Sequence, residues 1–274
     1  MNLWDAVILG IVEGLTEFVP VSSTGHLILA NAWLGLDATA DQKAAVDAFD
    51  IVIQSGAWLA CVLYYAGYLR QRVSGVFSRD AEQRALGMKL LVNLAVAFVP
   101  VVLIGLSFRS AIKASLFGAA PVAIALAIGG VLMIASDRWL MNRAHTDSVD
   151  AISTKQAFIV GLCQCASLIP GTSRSMSTII GGMMCGLNTR VAADFSFLLA
   201  VPVLGGATVY ELAREWQVMS EHVGAGAMAI GTITSFVVGW LSIAGFLGLL
   251  AKRGLAPFGW YRVALALVVW QGLT

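Results

Sequence analysis

Charge is scarce in this chain, and the little there is nearly cancels. Lys and Arg number 17 and Asp and Glu 16 among 274 residues, for a formal net charge of +1. That balance rules out recruitment of nucleic acid by bulk electrostatics, which needs a strongly basic surface. Cysteine offers no framework either. Cys61, Cys163, Cys165 and Cys185 all lie in apolar stretches, and the closest pair has one intervening residue where a redox or zinc pair has two. They read as packing thiols. The opening Met-Asn-Leu-Trp-Asp lacks the basic n-region of a cleavable signal peptide, so the first segment is expected to stay in the mature protein.

Apolar surface is what the chain has in quantity. It is 58% hydrophobic and only 12% charged, with a mean hydropathy of +0.82, which describes an all-α polytopic membrane protein with membrane lipids as its surroundings. Crossing a bilayer takes roughly 20 apolar residues. Six segments qualify, about 46–69, 89–108, 117–136, 191–212, 224–250 and 257–273. Two more stretches, about 3–36 and 156–187, are interrupted midway by Pro20 and Pro170 within turns rich in Ser, Thr and Gly. They read as re-entrant hairpins. Non-helical backbone at membrane depth is tolerated only where protein buries it or a wet cavity borders it, so these turns are the expected walls of a site.

The two interruptions also expose a repeat. Gly10-x-x-Glu13 followed by Phe18-Val19-Pro20-x-Ser22-Ser23-x-Gly25 is echoed by Gly161-x-x-Gln164 followed by Leu168-Ile169-Pro170-x-Thr172-Ser173-x-Ser175, one residue shorter between Gln164 and Pro170. Each copy, 1–136 and 153–274, holds one hairpin and three spans. Three is odd, so the second copy is expected upside down relative to the first, with the two broken helices meeting near the midplane. The basic residues set the orientation. Arg70, Arg72, Arg79, Arg84, Lys89, Arg138, Arg143, Lys155, Arg190, Lys252 and Arg253 fall on one side, against Lys43, Arg109, Lys113 and Arg214 on the other. The richer side is cytoplasmic by the positive-inside rule, so the first hairpin is expected to open outward.

Ionisable groups at membrane depth are costly and mark functional sites. Glu13 and Glu17 are four residues apart, on one face of a helix, and can share a divalent cation with phosphate and water completing its shell, Mg²⁺ fitting this pattern and Ca²⁺ being the other candidate; protonation or backbone capping of one glutamate is the structural alternative. Ser22, Ser23 and Thr24 stand where a helix restarts, a place that binds anions through free N–H groups or simply caps the helix. His26, one turn on, suits a base, an acid, a phosphate-accepting nucleophile or a hydrogen-bonded structural residue. The second turn, Pro170-Gly171-Thr172-Ser173-Arg174-Ser175, offers a guanidinium whose fork matches phosphate oxygens, unless that arginine snorkels to the interface.

The run Glu13-Gly14-Leu15-Thr16-Glu17-Phe18-Val19-Pro20-Val21-Ser22-Ser23-Thr24-Gly25-His26-Leu27, taken with Pro170-Gly171-Thr172-Ser173-Arg174-Ser175, resembles the undecaprenyl-diphosphate phosphatase family of bacterial inner membranes, the bacitracin-resistance type. The resemblance covers the whole chain in length and span order. It implies a multi-pass enzyme of the bacterial cell inner membrane that removes one phosphate from undecaprenyl diphosphate on the periplasmic side, recycling the lipid carrier for peptidoglycan and other envelope polymers. Carried over residue by residue, it implies catalytic roles for Glu17, Ser23, His26 and Arg174, and metal binding by Glu13 and Glu17. Substrate contacts would come from Ser22, Thr24, Thr172, Ser173, Ser175 and Thr178. Met176 departs from the family pattern, in which a small residue commonly follows the Arg-Ser pair.

The proton of Ser23 is expected to pass to His26 or Glu17, with His26 or a metal-bound water as rival nucleophiles. A secondary transporter or flippase of an isoprenyl phosphate lipid is the alternative reading, since inverted repeats with broken helices are its usual scaffold; a non-catalytic membrane scaffold is the third. Asp50 and Gln54 are placed at a cavity wall or an interfacial cap, Asp137 and Arg138 in a solvated pair, His145 and His222 in polar connections, and Arg262 beside Trp260 and Tyr261 as an interfacial anchor with a phosphate contact as its other role. Gly10 with Gly14 and Gly182 with Gly186 have the spacing of close helix packing, and a homodimer is the further expectation.

Overall fold

The structure, a computed structural model, describes residues 1–116, 118–141 and 144–271. Arg143 lies outside it, as do the side chains of Arg109, Lys113 and His222. Every regular element among the described residues is a helix, apart from an isolated bridge between Thr146 and Leu187. In chain order the α-helices are α1 (Leu3–Thr16), α2 (Ser23–Trp33), α3 (Ala40–Tyr64), α4 (Ala66–Gly75), α5 (Ala81–Leu116) and α6 (Ala119–Leu140). Then follow α7 (Thr154–Gln164), α8 (Arg174–Met184), α9 (Thr189–His222), α10 (Ala225–Arg253) and α11 (Ala256–Gln271).

Local sequence explains where these helices begin. Asn2 with Asp5, Thr39 with Gln42 and Ser153 with Gln156 form capping boxes at the starts of α1, α3 and α7, each satisfying backbone donors that a helix start leaves unpaired. Among the described residues, five stretches are long and apolar enough to cross a membrane: Gln42–Tyr64, Ala81–Phe108, Ala120–Leu140, Thr189–Arg214 and Ala225–Arg253. The first ends earlier than expected because the helix breaks at Tyr65, and α4 continues as a separate element. The sixth expected span corresponds to α11, whose 16 residues reach about 24 Å at 1.5 Å each, short of the roughly 30 Å hydrocarbon core. By the same arithmetic α1, with 14 residues, and α2, α7 and α8, with 11 each, are too short to cross alone.

The halves exchange partners. α1 packs on α10 and α7 packs on α5, so each first half-helix lies against a span from the other half of the chain, while α3 with α9 and α6 with α11 join the halves directly. Small residues permit the close approaches. α10 turns Ala227, Gly231, Ser235 and Gly239 inward at four-residue spacing, one face of a helix. A Cβ on Gly10 would come within 2.6 Å of the Gly231 carbonyl, and one on Gly14 within 2.6 Å of the Ser235 carbonyl. Gly161 of α7 has the same relation to Ala97 of α5, at 2.5 Å. The Gly10–Gly14 pair thus serves packing within the chain. α9 is the most enclosed span, with Phe195, Phe197, Leu198, Leu199 and Ala200 all buried.

The link between the halves is clamped at one end of the bundle. Arg72 of α4 donates from Nε to Asp150 Oδ1 at 2.9 Å and from Nη2 to Oδ2, Tyr68 donates to the same Oδ1 at 2.8 Å, and Lys89 reaches the Asp150 carbonyl at 2.7 Å. Burial and the neighbouring Asp150 carboxylate push the Tyr68 phenol up to about 12. Asp137 is not half of a solvated pair: its Oδ2 accepts from the Ala256 N–H at 2.7 Å and so holds the start of α11.

Candidate active site

Two turns build the site. α1 ends at Thr16, and Pro20, which lacks an N–H and disfavours the α conformation in the residue before it, prevents resumption. The chain re-enters a helix only after Ser22, whose φ of 74° is left-handed. A non-glycine residue there costs about 1–3 kcal/mol and persists where its surroundings fix it. Three bonds do so. Ser22 Oγ accepts from the Gly25 N–H at 3.3 Å, and the Ser22 carbonyl accepts from the His26 N–H at 3.3 Å and from His26 Nδ1 at 2.8 Å. The second turn repeats the device. Ser173 also has φ 74°, its Oγ accepts from the Met176 N–H at 3.3 Å, and its carbonyl accepts from the Ser177 N–H and hydroxyl at 3.1 and 2.9 Å.

These caps correct the pairing that the prolines suggest. Alignment on Pro20 and Pro170 sets Ser23 against Ser173, whereas the backbone sets Ser22 against Ser173. On that register Gly10, Glu13 and Ser22 have the same spacing as Gly161, Gln164 and Ser173. The first residues of the two restarted helices, Ser23 and Arg174, are then counterparts.

Both converge on Glu17. Ser23 donates its hydroxyl to Glu17 Oε2 at 2.7 Å, and Arg174 Nη2 donates to Glu17 Oε1 at 3.3 Å. Glu17 is buried, and the Arg174 guanidinium stacks over the buried Phe18 ring at 5.8 Å from its centroid. Low polarity strengthens these charge-assisted bonds. Arg174 is no snorkelling residue; its side chain is 9% exposed. Its Nη1 donates to the Ser196 carbonyl of α9 at 3.2 Å, while its Nε has no hydrogen-bond partner.

Glu13 sits one turn before Glu17, and the Glu17 N–H donates to its carbonyl at 2.9 Å. The residue is 1% exposed, and its Oε1 has no hydrogen-bond partner. Such an orphaned buried carboxylate oxygen suits a cation. Both Glu17 oxygens are already engaged, and no group of three His, Cys, Asp or Glu side chains comes together as a metal cage among the described residues. Glu13 thus offers an open carboxylate oxygen, and a divalent cation held there beside Glu17 would need its remaining ligands from a phosphate ligand or water.

The remaining candidates divide by depth. Thr24 is exposed. Thr172 is half-buried and Ser173 caps α8, its Oγ 3.1 Å from Ser175 Oγ. Ser175 and Thr178 are fully buried; Thr178 Oγ1 bonds back to the Arg174 carbonyl at 2.9 Å and lies 2.6 Å from Ser196 Oγ. Ser196, whose carbonyl also accepts from Arg174, thus links Thr178 to the guanidinium. His26 does not bond to Ser23. Its Nε2 meets the Tyr261 hydroxyl at 2.7 Å, with the rings stacked at 5.6 Å and 3°.

Arg262 overturns its expected role as an interfacial anchor, being 0% exposed. It donates to five backbone carbonyls: Pro20 at 3.2 Å in the first turn, Gly171 and Thr172 at 2.8 and 2.9 Å in the second, and Ala125 and Leu126 at 3.1 and 3.4 Å in α6. One guanidinium ties both turns together. Gly129 of α6 makes room for it, since a Cβ there would overlap the guanidinium. Asp50 takes a 3.2 Å bond from Asn31 Nδ2. Sequence reasoning missed Tyr261, Ser196 and Asn31, because nothing local couples them to either turn.

Residues 6–268 match the family model described as Bacitracin resistance protein BacA. The chain belongs to that family. Curated relatives include an undecaprenyl-diphosphatase of Sorangium cellulosum (strain So ce56), 49% identical over 98% of this chain and 86% of the relative. Another, of Polaromonas naphthalenivorans (strain CJ2), is 45% identical over 99% and 96%, and undecaprenyl-diphosphatase 1 of Chromobacterium violaceum is 42% identical over 99% and 98%. The family match spans both turns, α6 and Arg262, so the whole site falls within it.

Proposed function

We propose that this chain hydrolyses undecaprenyl diphosphate to undecaprenyl phosphate and inorganic phosphate at the periplasmic face of the bacterial inner membrane. This would recycle the lipid carrier for peptidoglycan and confer bacitracin resistance. The observation that carries the reading is the convergence of Ser23 and Arg174 on Glu17: a nucleophile, its base and a phosphate-matching cation in one buried cluster. The names of the relatives support the substrate.

In the first step Ser23 Oγ attacks the terminal phosphorus while Glu17 takes its proton. The Oγ–P bond forms, the anhydride P–O bond breaks, and undecaprenyl phosphate leaves. Water then attacks the phosphoserine, Glu17 returns its proton to Oγ as the Oγ–P bond breaks, and both protons of the water remain on inorganic phosphate. Arg174 turns from Glu17 toward the phosphoryl oxygens and offsets the charge that spreads over them. Glu13 and Glu17 would hold a divalent cation, Mg²⁺ or Ca²⁺, which when bound supplies further neutralisation of the diphosphate.

We further propose that 1–136 and 153–274 are inverted copies, each a re-entrant hairpin with three spans, α11 being the sixth. The matched caps at Ser22 and Ser173 and the exchanged packing of α1 and α7 support this. Phosphate release from a C55 isoprenyl diphosphate by purified protein in detergent, with and without chelator, tests the activity. Metal-dependent release is expected; none from folded protein across several divalent ions would refute the phosphatase and point to lipid transport, to be assayed in liposomes.

A further inference from the structure

His26 is held at both ring nitrogens, and the two partners have different chemistry. The Ser22 carbonyl, 2.8 Å from Nδ1, can only accept. The neutral ring therefore carries its proton on Nδ1, and Nε2 presents the lone pair. The Tyr261 hydroxyl, 2.7 Å from Nε2, must then donate. Stacking of the rings at an interplanar angle of 3° fixes the imidazole plane as well. Ser23, meanwhile, gives its hydroxyl hydrogen to Glu17, so His26 and the nucleophile have separate hydrogen-bond partners.

Tyr261 comes from α11, next to Arg262. Consecutive helical residues point about 100° apart. Arg262 turns inward to hold the Pro20 carbonyl, and Tyr261, half-exposed, meets His26. α11 thus grips the first turn twice through adjacent side chains. We infer that Tyr261 is a positioning residue: its hydroxyl donates to the one lone pair on Nε2 and holds the His26 ring in the Nδ1–H tautomer until a protonated oxygen of the bound diphosphate takes the hydroxyl's place and passes its proton to Nε2. This deepens the phosphatase reading and rests on it.

The test is a double-mutant cycle with Tyr261→Phe and His26→Gln, reading kcat and KM for phosphate release from the C55 diphosphate. Phe keeps the ring and its stacking and removes only the donor. Tyr261→Phe is expected to lower kcat about tenfold, the weight of one well-placed hydrogen bond, with KM within about twofold. In the His26→Gln background it is expected to change nothing. A native kcat in Tyr261→Phe would overturn the inference. So would losses that multiply in the double variant, or a fall in thermal stability that carries the kcat loss into the His26→Gln background.

A second readout needs no turnover. The chain has three histidines, and ¹⁵N NMR of histidine-labelled protein, with His26 assigned by His26→Gln, reports the tautomer directly. An Nδ1–H ring whose Nε2 signal shifts in Tyr261→Phe is expected; an Nε2–H ring, or one indifferent to the substitution, overturns the positioning role. Absence of turnover in the native protein would count against the phosphatase alone.

Discussion

The turn before α2 and the turn before α8 share a backbone: a serine at φ 74°, a side-chain cap three residues on, and a carbonyl that binds the side chain four residues on, His26 in one and Ser177 in the other. Their chemistry differs at the next position. The first helix begins with Ser23 and the second with Arg174, and the glutamate that meets both has Leu168 as its counterpart. A duplicated scaffold thus presents two equivalent N-terminal positions to one carboxylate, one suited to attack and the other to hold charge. Divergence at a few side chains, with the backbone kept, is enough to make the pair asymmetric.

Exchanging or removing those side chains should break the asymmetry most. Glu17→Gln keeps the shape but removes the shared acceptor; phosphate release should fall by about 10³-fold or more, the upper range for loss of a general base together with an electrostatic partner. Arg174→Lys keeps the charge but not the fork, and a fall of about 10²-fold in kcat/KM is expected in the same assay. An equal fall from Ser175→Ala would instead place the phosphate contact deeper than Arg174.

Arg262→Met tests what the two turns share. It leaves five carbonyls without their donor, and a buried acceptor left unsatisfied costs about 1–3 kcal/mol, so the detergent-solubilised protein should melt well below the native chain in a thermal size-exclusion assay. The equivalence of the packing seats is probed by Gly10→Ala and Gly161→Ala. Each would place a Cβ against backbone at a cost of about 1–3 kcal/mol, and similar losses from both would sharpen the correspondence between halves. Ser22→Gly and Ser173→Gly should be the mildest, since glycine accepts positive φ and replaces a serine cap at a cost of a few tenths of a kcal/mol.

Much of this was legible in the sequence because it is written locally. Hydropathy located five of the six expected spans, and the prolines located the turns. Glu13, Glu17, Ser23 and Arg174 stand out as polar residues in apolar surroundings, and the structure brings Glu17, Ser23 and Arg174 into direct contact. What was not legible depends on distant chain. Arg262 looks interfacial beside Trp260 and Tyr261, and only the seat at Gly129 reveals that it points inward. His26 looks like a partner for Ser23 because it lies one turn away, but Tyr261, 235 residues on, takes its Nε2. The prolines misled by one residue, since the left-handed serine rather than the proline sets the register of each turn.

The convergence on Glu17 is the centre of the account, and a mutant cycle reads it directly. Phosphate release would be measured for Ser23→Ala, Glu17→Gln and the combined variant, each confirmed as folded by size-exclusion chromatography. Groups that act as a unit lose activity non-additively, so the combined variant should be no slower than Ser23→Ala alone. Losses that multiply, or a Ser23→Ala protein that keeps most of its rate, would contradict the account and move the nucleophile to another group.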